Sequence, residues 1–224
     1  MVKFKNNGKF ERLIFPNGST TKISSNKKEI VLILLQGHMK VGNFDLYLKR
    51  EGVFDDEPRG FVIANQGDIE LSTQGHAQAC LVSIESDKPI PLKEIGKPKS
   101  TWTGNGNSYR KVSRLADADD DLDNLIVGET ISPAGNWSSW PPHKHDTYEK
   151  NLESAQEEVY FYKFENEKGF GVQLVDDNAH VVRDGDSVKI ERGTHPVACS
   201  PYSRMYYFWC LYGDNSFFKP RFED

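Results

Sequence analysis

Two histidines flank a lysine at His143-Lys144-His145, and a glutamate pair, Glu157-Glu158, follows in the same stretch of chain. On an extended strand, residues two apart face the same side, so the two imidazoles point one way and Lys144 the other. Glu158 opens a run, Glu158–Tyr162, in which aromatics recur at every second place. Glu158, Tyr160 and Tyr162 then share one face, and Glu157 turns away if both glutamates are in strand. Far along the chain His195 follows Arg192-Gly193-Thr194, where a turn enters another strand. Imidazole nitrogens with one carboxylate oxygen form a suitable shell for Zn, Mn, Fe or Ni. Such a shell leaves coordination positions open to water or substrate, which marks a catalytic rather than a structural site. A His-x-His pair alone is common on surface strands. The pair, the later Glu and the distant His after a glycine turn together point to a metal.

The elements that must position these groups are strands. Short runs rich in Val, Ile, Tyr and Phe alternate with Gly, Asn, Asp and Pro, and helix signals are almost absent. Runs at Glu29–Gln36, His38–Val41, Ile69–Ser72, Ala77–Ser83, Leu125–Ser132, Glu158–Phe164, Gly169–Val175 and Met205–Gly213 read as separate strands. Many short strands at regular spacing predict a sandwich or barrel. The stretch from Pro91 to Ser108 is rich in Pro, Gly, Lys and Asn and reads as a connector, dividing the chain into residues 1–105 and 106–224. In the first part His38 and His76 stand apart, each after a glycine, and form no cluster.

Composition narrows the function classes. The 224 residues carry a net charge of −5 and 12% aromatics, as expected of an ordinary globular protein. No basic stripe suggests a nucleic-acid partner. No apolar run reaches the ~20 residues of a membrane helix, and no signal-peptide pattern opens the chain. The expected compartment is the cytoplasm, and the three cysteines, in no CxxC pattern, read as free thiols. Strand edges in such architectures often pair, so a homo-oligomer is expected.

The pattern His-x-His, then Glu, then Gly-x-His in a strand-rich chain resembles the metal motif of the cupins. The stretch GNWSSWPPHKHD (Gly135–Asp146), with EEVYFY (Glu157–Tyr162), GFGVQ (Gly169–Gln173), DGDSV (Asp184–Val188) and GTHPV (Gly193–Val197), resembles the bacterial 5-deoxy-glucuronate isomerase family of inositol catabolism. The related 4-deoxy-5-ketouronate isomerases of pectin breakdown share the scheme. The resemblance implies an all-β, two-domain cupin (bicupin) with β-barrel or jelly-roll halves. The N-terminal barrel (1–105) would lack metal ligands, and the C-terminal barrel (106–224) would bind a divalent ion, Zn or Mn before Fe or Ni.

Carried over, the ligands are His143, His145, Glu158 and His195. The implied reaction is an aldose–ketose isomerisation of a uronate-like sugar acid. The metal would polarise the carbonyl as a Lewis acid while a base moves the neighbouring proton. Tyr160, a metal-bound hydroxide and Glu157 are the candidates for that proton step. Gln173 would hydrogen-bond sugar hydroxyls or the metal's ligands. The carboxylate of a uronate calls for a cation, and Arg suits it as a planar, bidentate partner. Arg204 is preferred over Arg183. Tyr206 and Tyr207 alternate faces, so one of them, taken as Tyr207, lines the interior. The rival readings are another deoxy-ketouronate isomerase, a metal-dependent cupin dioxygenase, and a cupin that binds a small molecule without catalysis.

Overall fold

The computed structural model describes residues 1–42, 44–214 and 218–222. Among them there is no α-helix, only 3-10 turns at Gly106–Ser108 and Ala118–Asp120. The chain divides into two compact units, one of residues 1–98 with 115–126, the other of residues 99–114 with 127–224.

The first unit holds β1 (Val2–Lys3), β2 (Lys9–Phe15), β3 (Thr20–Ser24), β4 (Lys28–Val41), β5 (Leu46–Arg50), β6 (Arg59–Ala64), β7 (Asp68–Glu85) and β8 (Ile90–Glu94). They form one antiparallel sheet with path β1-β2-β7-β4-β6-β8, while β3 joins β7 and β5 joins β4. β4 and β7 are long enough to take different partners along their length. β7 pairs with β3 through 68–72 and with β2 through 77–83. β4 pairs with β6 through 29–34 and with β5 through 37–41. The expected breaks at Gly37 and Gly75 are therefore not chain reversals. At Gly37 (φ 104) the β4–β7 register shifts as a bulge, and a Cβ there would sit 2.6 Å from the His76 carbonyl oxygen. Alternation along β4 sends Ile30, Leu32 and Leu34 into a core with Phe61, Ile63, Leu71, Ala79 and Leu81.

On the other face of β4 the fully buried Glu29 accepts hydrogen bonds from the backbone N–H groups of Asp123 (3.0 Å) and Asn124 (2.8 Å). Burial raises its pKa from 4.5 to about 7, in spite of those two donors. A carboxyl whose pKa is higher folded than unfolded favours the folded state in its protonated form. Its contribution is complete below pH 4.5 and is lost as pH rises through about 7. The window corresponds to about 3 kcal/mol. Glu29→Gln should flatten the dependence of Tm on pH between 4.5 and 8. Parallel curves for the two proteins would show that Glu29 does not titrate there.

The second unit holds β9 (Lys99–Thr103), most of β10 (Arg110–Ala116) and β11 (Leu125–Ser132), then β12 (Trp137–Ser138), β13 (His143–Lys144), β14 (Glu157–Phe164), β15 (Gly171–Val175), β16 (Asn178–Val182), β17 (Ser187–Ile190), β18 (Val197–Cys199), β19 (Met205–Tyr212) and β20 (Arg221–Phe222). A six-stranded sheet runs β17-β14-β19-β11-β10-β9, a four-stranded sheet runs β12-β18-β15-β16, and β13 pairs with β20. In β11 the backbone at Gly128 lies directly beneath the Trp209 indole of β19. The indole N–H of Trp209 donates to Thr130 Oγ1 at 3.1 Å.

The all-β class stands, but the barrel or jelly-roll halves do not. Closure requires the two end strands of a sheet to pair with one another. Here the eight-stranded sheet ends at β1 and β8, the six-stranded at β17 and β9, and the four-stranded at β12 and β16, so every sheet is open. The stretch read as a connector also contains two strands, β8 and β9, and β1, β2 and β3 precede the first expected strand.

Candidate metal centre

In the six-stranded sheet, β14 pairs with β19 so that Glu158 opposes Leu211, Tyr160 opposes Trp209 and Tyr162 opposes Tyr207. The period of two puts these six side chains on one face. His143 lies on β13, His145 follows it, and His195 sits in the turn before β18. One ligand atom from each imidazole lies within 4.8 Å of the other two. Glu158 Oε2 is 3.2 Å from Nε2 of both His145 and His195. His145, His195 and Glu158 are buried, and His143 is half-buried.

The other nitrogen of each ring meets a backbone carbonyl. His143 Nδ1 is 3.2 Å from the Pro141 oxygen, His145 Nδ1 is 3.1 Å from that of Gln156, and His195 Nδ1 is 2.9 Å from that of Gly193. A carbonyl can only accept, so each Nδ1 is the protonated nitrogen and each neutral ring keeps its lone pair on Nε2. The buried His195 Nε2 lies off the line that a hydrogen bond to Glu158 requires and has no hydrogen-bond partner. Imidazoles fixed through Nδ1–H, with lone pairs and a carboxylate converging, fit a divalent cation. The cluster is thus capable of coordinating a metal ion.

Without a cation the charges settle on the protein. Burial lowers the His143 pKa to about 4, and the neighbouring His195 adds to the effect. Burial acts the same way on His145, but the Glu158 carboxylate outweighs it and the net shift is upward. Burial is the largest single influence on Glu158 and pushes its pKa up, but the His145 and His195 imidazoles together outweigh it and hold it at about 2.

The loops that aim the rings depend on residues that the sequence reading did not single out. Asp146 Oδ2 accepts the Gly193 N–H at 2.7 Å, joining the His143–His145 segment to the turn that carries His195. Asp176 Oδ1 accepts the Thr194 N–H at 2.9 Å on the other side of that turn. Gly193 takes φ 87, and a Cβ there would run into the Asp176 carboxylate. The fully buried Glu153 accepts from Asp146 N, Thr147 N and Lys144 Nζ, closing the loop between His145 and β14. Acidic residues in a polar loop carry no sequence signal that separates such hubs from solvated side chains.

The cluster opens into a cavity of about 430 Å³, lined by His143, His145, Glu158, Tyr160, Tyr207, Trp209, Leu211 and Phe218, with Ser138, Ser139 and Thr130. The Tyr160 hydroxyl is 2.7 Å from Ser139 Oγ, and the Tyr207 hydroxyl is 2.5 Å from Ser138 Oγ. Burial raises the pKa of both phenols, so each keeps its proton. Gln173 does not line the cavity. It accepts from the Tyr162 hydroxyl at 2.5 Å and donates to the carbonyls of His195 (2.8 Å) and Pro196 (3.2 Å), which makes it a support for the His195 turn. Glu157 faces away from Glu158, with Lys189 Nζ at 3.4 Å. Lys144 pairs with Asp146 and Glu153.

The two arginines expected to meet a substrate carboxylate are elsewhere. Arg204 precedes β19 at the end far from Leu211, about 20 Å along the strand, and it holds Glu165 in a bidentate ion pair on the surface. Arg183 is exposed in the turn after β16. The cations that line the cavity are Lys99, Arg110 and Arg114, from β9 and β10.

An open β scaffold that gathers three imidazoles and a carboxylate beside a cavity has the donor set of a catalytic metal site. The chain belongs to the KduI/IolB family, which it matches over residues 5–224. It is 32% identical over 220 residues to the 5-deoxy-glucuronate isomerase of Geobacillus kaustophilus, covering 91% of this chain and 79% of that protein. The Bacillus subtilis protein of the same name is 30% identical over 218 residues, covering 91% and 80%. The crystal structure of an IolB-like protein from Salmonella typhimurium superposes with a TM-score of 0.90 at 24% identity, covering 96% of this chain and 87% of the other. Membership and the histidine cluster together make the chain a metal-associated isomerase of this general class. No helix among the described residues is long and apolar enough to cross a membrane.

Proposed function

We propose that the protein is a metal-dependent aldose–ketose isomerase that converts 5-deoxy-D-glucuronate to 5-dehydro-2-deoxy-D-gluconate, as in inositol catabolism. One observation carries the reading: three imidazoles tethered through Nδ1 to main-chain carbonyls gather with Glu158 around one point beside a cavity. His143, His145, His195 and Glu158 would hold the ion, Zn or Mn before Fe or Ni. When bound, the ion supplies Lewis acidity for a substrate carbonyl. Enolisation passes the proton on the carbon beside the aldehyde to a base and builds negative charge on the carbonyl oxygen; Tyr160, whose hydroxyl keeps its proton, would donate there, and the base returns the first proton to the neighbouring carbon. Ser139 and Ser138 fix the directions of the Tyr160 and Tyr207 hydroxyls. Glu157 faces away from this surface, 3.4 Å from Lys189 Nζ, which supports Tyr160 over it for the proton step.

The test is elemental analysis of the native protein together with isomerase assays on 5-deoxy-glucuronate and 4-deoxy-5-ketouronate. About one divalent ion per chain and turnover of the first substrate in preference to the second are expected. Chelation should abolish the turnover and re-addition of the ion should restore it. Full metal loading with neither sugar acid isomerised would leave a binding protein instead.

A further inference from the structure

We infer that the β9–β10 hairpin is the anion-recognition wall of the cavity, with Arg114 and Lys99 grasping the carboxylate of the bound sugar acid. This rests on the isomerase reading for the identity of the substrate, but its geometry is independent of the metal.

Residues two apart on β10 place Arg110, Val112 and Arg114 on one face, and all three line the cavity. On β9 the register sets Lys99 directly opposite Arg114 and Thr101 opposite Val112, and both of these line it too. Like charges at directly opposed positions of an antiparallel pair repel and cost stability. An anion bound between the two would be attracted by both. Glu158, committed to the imidazoles, is the single carboxylate among the described lining residues, against three cations. Among the described lining residues, the cations gather at the end of the cavity away from the histidines.

Arg110 reinforces the arrangement from behind. It is 9% exposed, and its guanidinium donates to the carbonyls of Ser108 (2.9 Å) and Trp140 (3.1 Å). No carboxylate among the described residues pairs with it, and its Nε has no partner. A buried guanidinium balanced only by carbonyl dipoles is a fixed positive charge beside the cavity. Arg114 lies with its guanidinium carbon 6.0 Å from the centre of the Phe218 ring, whose other neighbour is His145. The ring therefore links the cationic wall to the histidine cluster.

The spacing suits a six-carbon acid. From β14, which carries Glu158, the sheet passes through β19 and β11 to β10, three steps or about 14 Å between backbones. A six-carbon chain, ~6 Å from carbonyl to carboxylate, fits within that separation. The wall therefore reads the end of the substrate opposite to the one that reacts.

Arg114 and Lys99 are exposed, so Arg114→Gln, Lys99→Gln and the double variant should fold. Binding of D-glucuronate and of neutral D-glucose to the metal-loaded proteins is measured by calorimetry, with metal content and turnover recorded separately. The wild type should prefer glucuronate. The preference should fall about tenfold in Arg114→Gln and further in the double variant, and Arg114→Lys should recover part of it. KM for the sugar acid should rise with kcat and metal content nearly unchanged. An unaltered glucuronate preference, or an unaltered KM, in the double variant would overturn the assignment. If neither uronate is isomerised but the preference is present and lost in the variants, the wall stands and the isomerase reading fails. If turnover is normal and indifferent to both substitutions, the isomerase reading stands and the wall fails.

Discussion

His143→Ala combined with His145→Ala should lose the metal and all measurable isomerase activity while the protein stays folded. Two of the four convergent donors disappear, and Glu158 with His195 alone cannot hold a divalent ion against water. Loss of the ion's contribution to the barrier, several kcal/mol, corresponds to a fall of about a thousandfold or more. The fold should persist because the strands of both sheets keep their pairing, but Tm should fall, since the buried Glu158 loses one of its two imidazole partners. The informative companion is Glu158→Gln, which keeps shape and removes charge. It should weaken metal retention and also release the ion pair that raises the His145 pKa. Elemental analysis with far-UV circular dichroism reads both points. A double histidine variant that retains stoichiometric metal would place the ion elsewhere.

The second large effect is on stability. Gly128→Ala should lower Tm by about 10 °C, the equivalent of ~3 kcal/mol for a chain of this length. A methyl group at this position overlaps the six-membered ring of Trp209; β19 is buried along its whole length and β11 everywhere but at Ile131. The indole must then tilt, breaking its bond to Thr130 and moving a wall of the cavity. Trp209→Phe removes the ring that collides. The double variant Gly128→Ala/Trp209→Phe should therefore be more stable than the two single changes sum to. Differential scanning calorimetry of the four proteins gives the coupling, and strict additivity would refute the contact.

The chemistry-bearing residues were legible because they obey local rules. Strand parity placed Glu158 and Tyr160 on one face and turned Glu157 and Lys144 away, and the structure has the same arrangement. A glycine before Thr194-His195 signalled a turn, which it is. What parity cannot tell is which end of a strand meets the site. Arg204 is favoured in sequence because parity turns Lys144 outward, yet it stands at the end of β19 far from Leu211. The cations that do line the cavity were hidden in part because Lys99 lies in a Pro- and Gly-rich stretch that reads as a connector. Only pairing with β10 makes that stretch a strand. Sheet closure was unreadable for a similar reason. Regular short strands describe open and closed sheets equally well, and the difference lies in long-range partners of the edge strands.

The loop between His145 and β14 is stapled at its base. Glu153 gathers Asp146, Thr147 and Lys144 at one stroke, while residues 147–152 beyond it lie on the surface. Insertions or deletions there would be absorbed above the staple, leaving the imidazoles where they are. The long interval that separates the histidine pair from its glutamate is, in that sense, spare rope, tied at its base by Glu153 and along its length by Lys219 and Arg221.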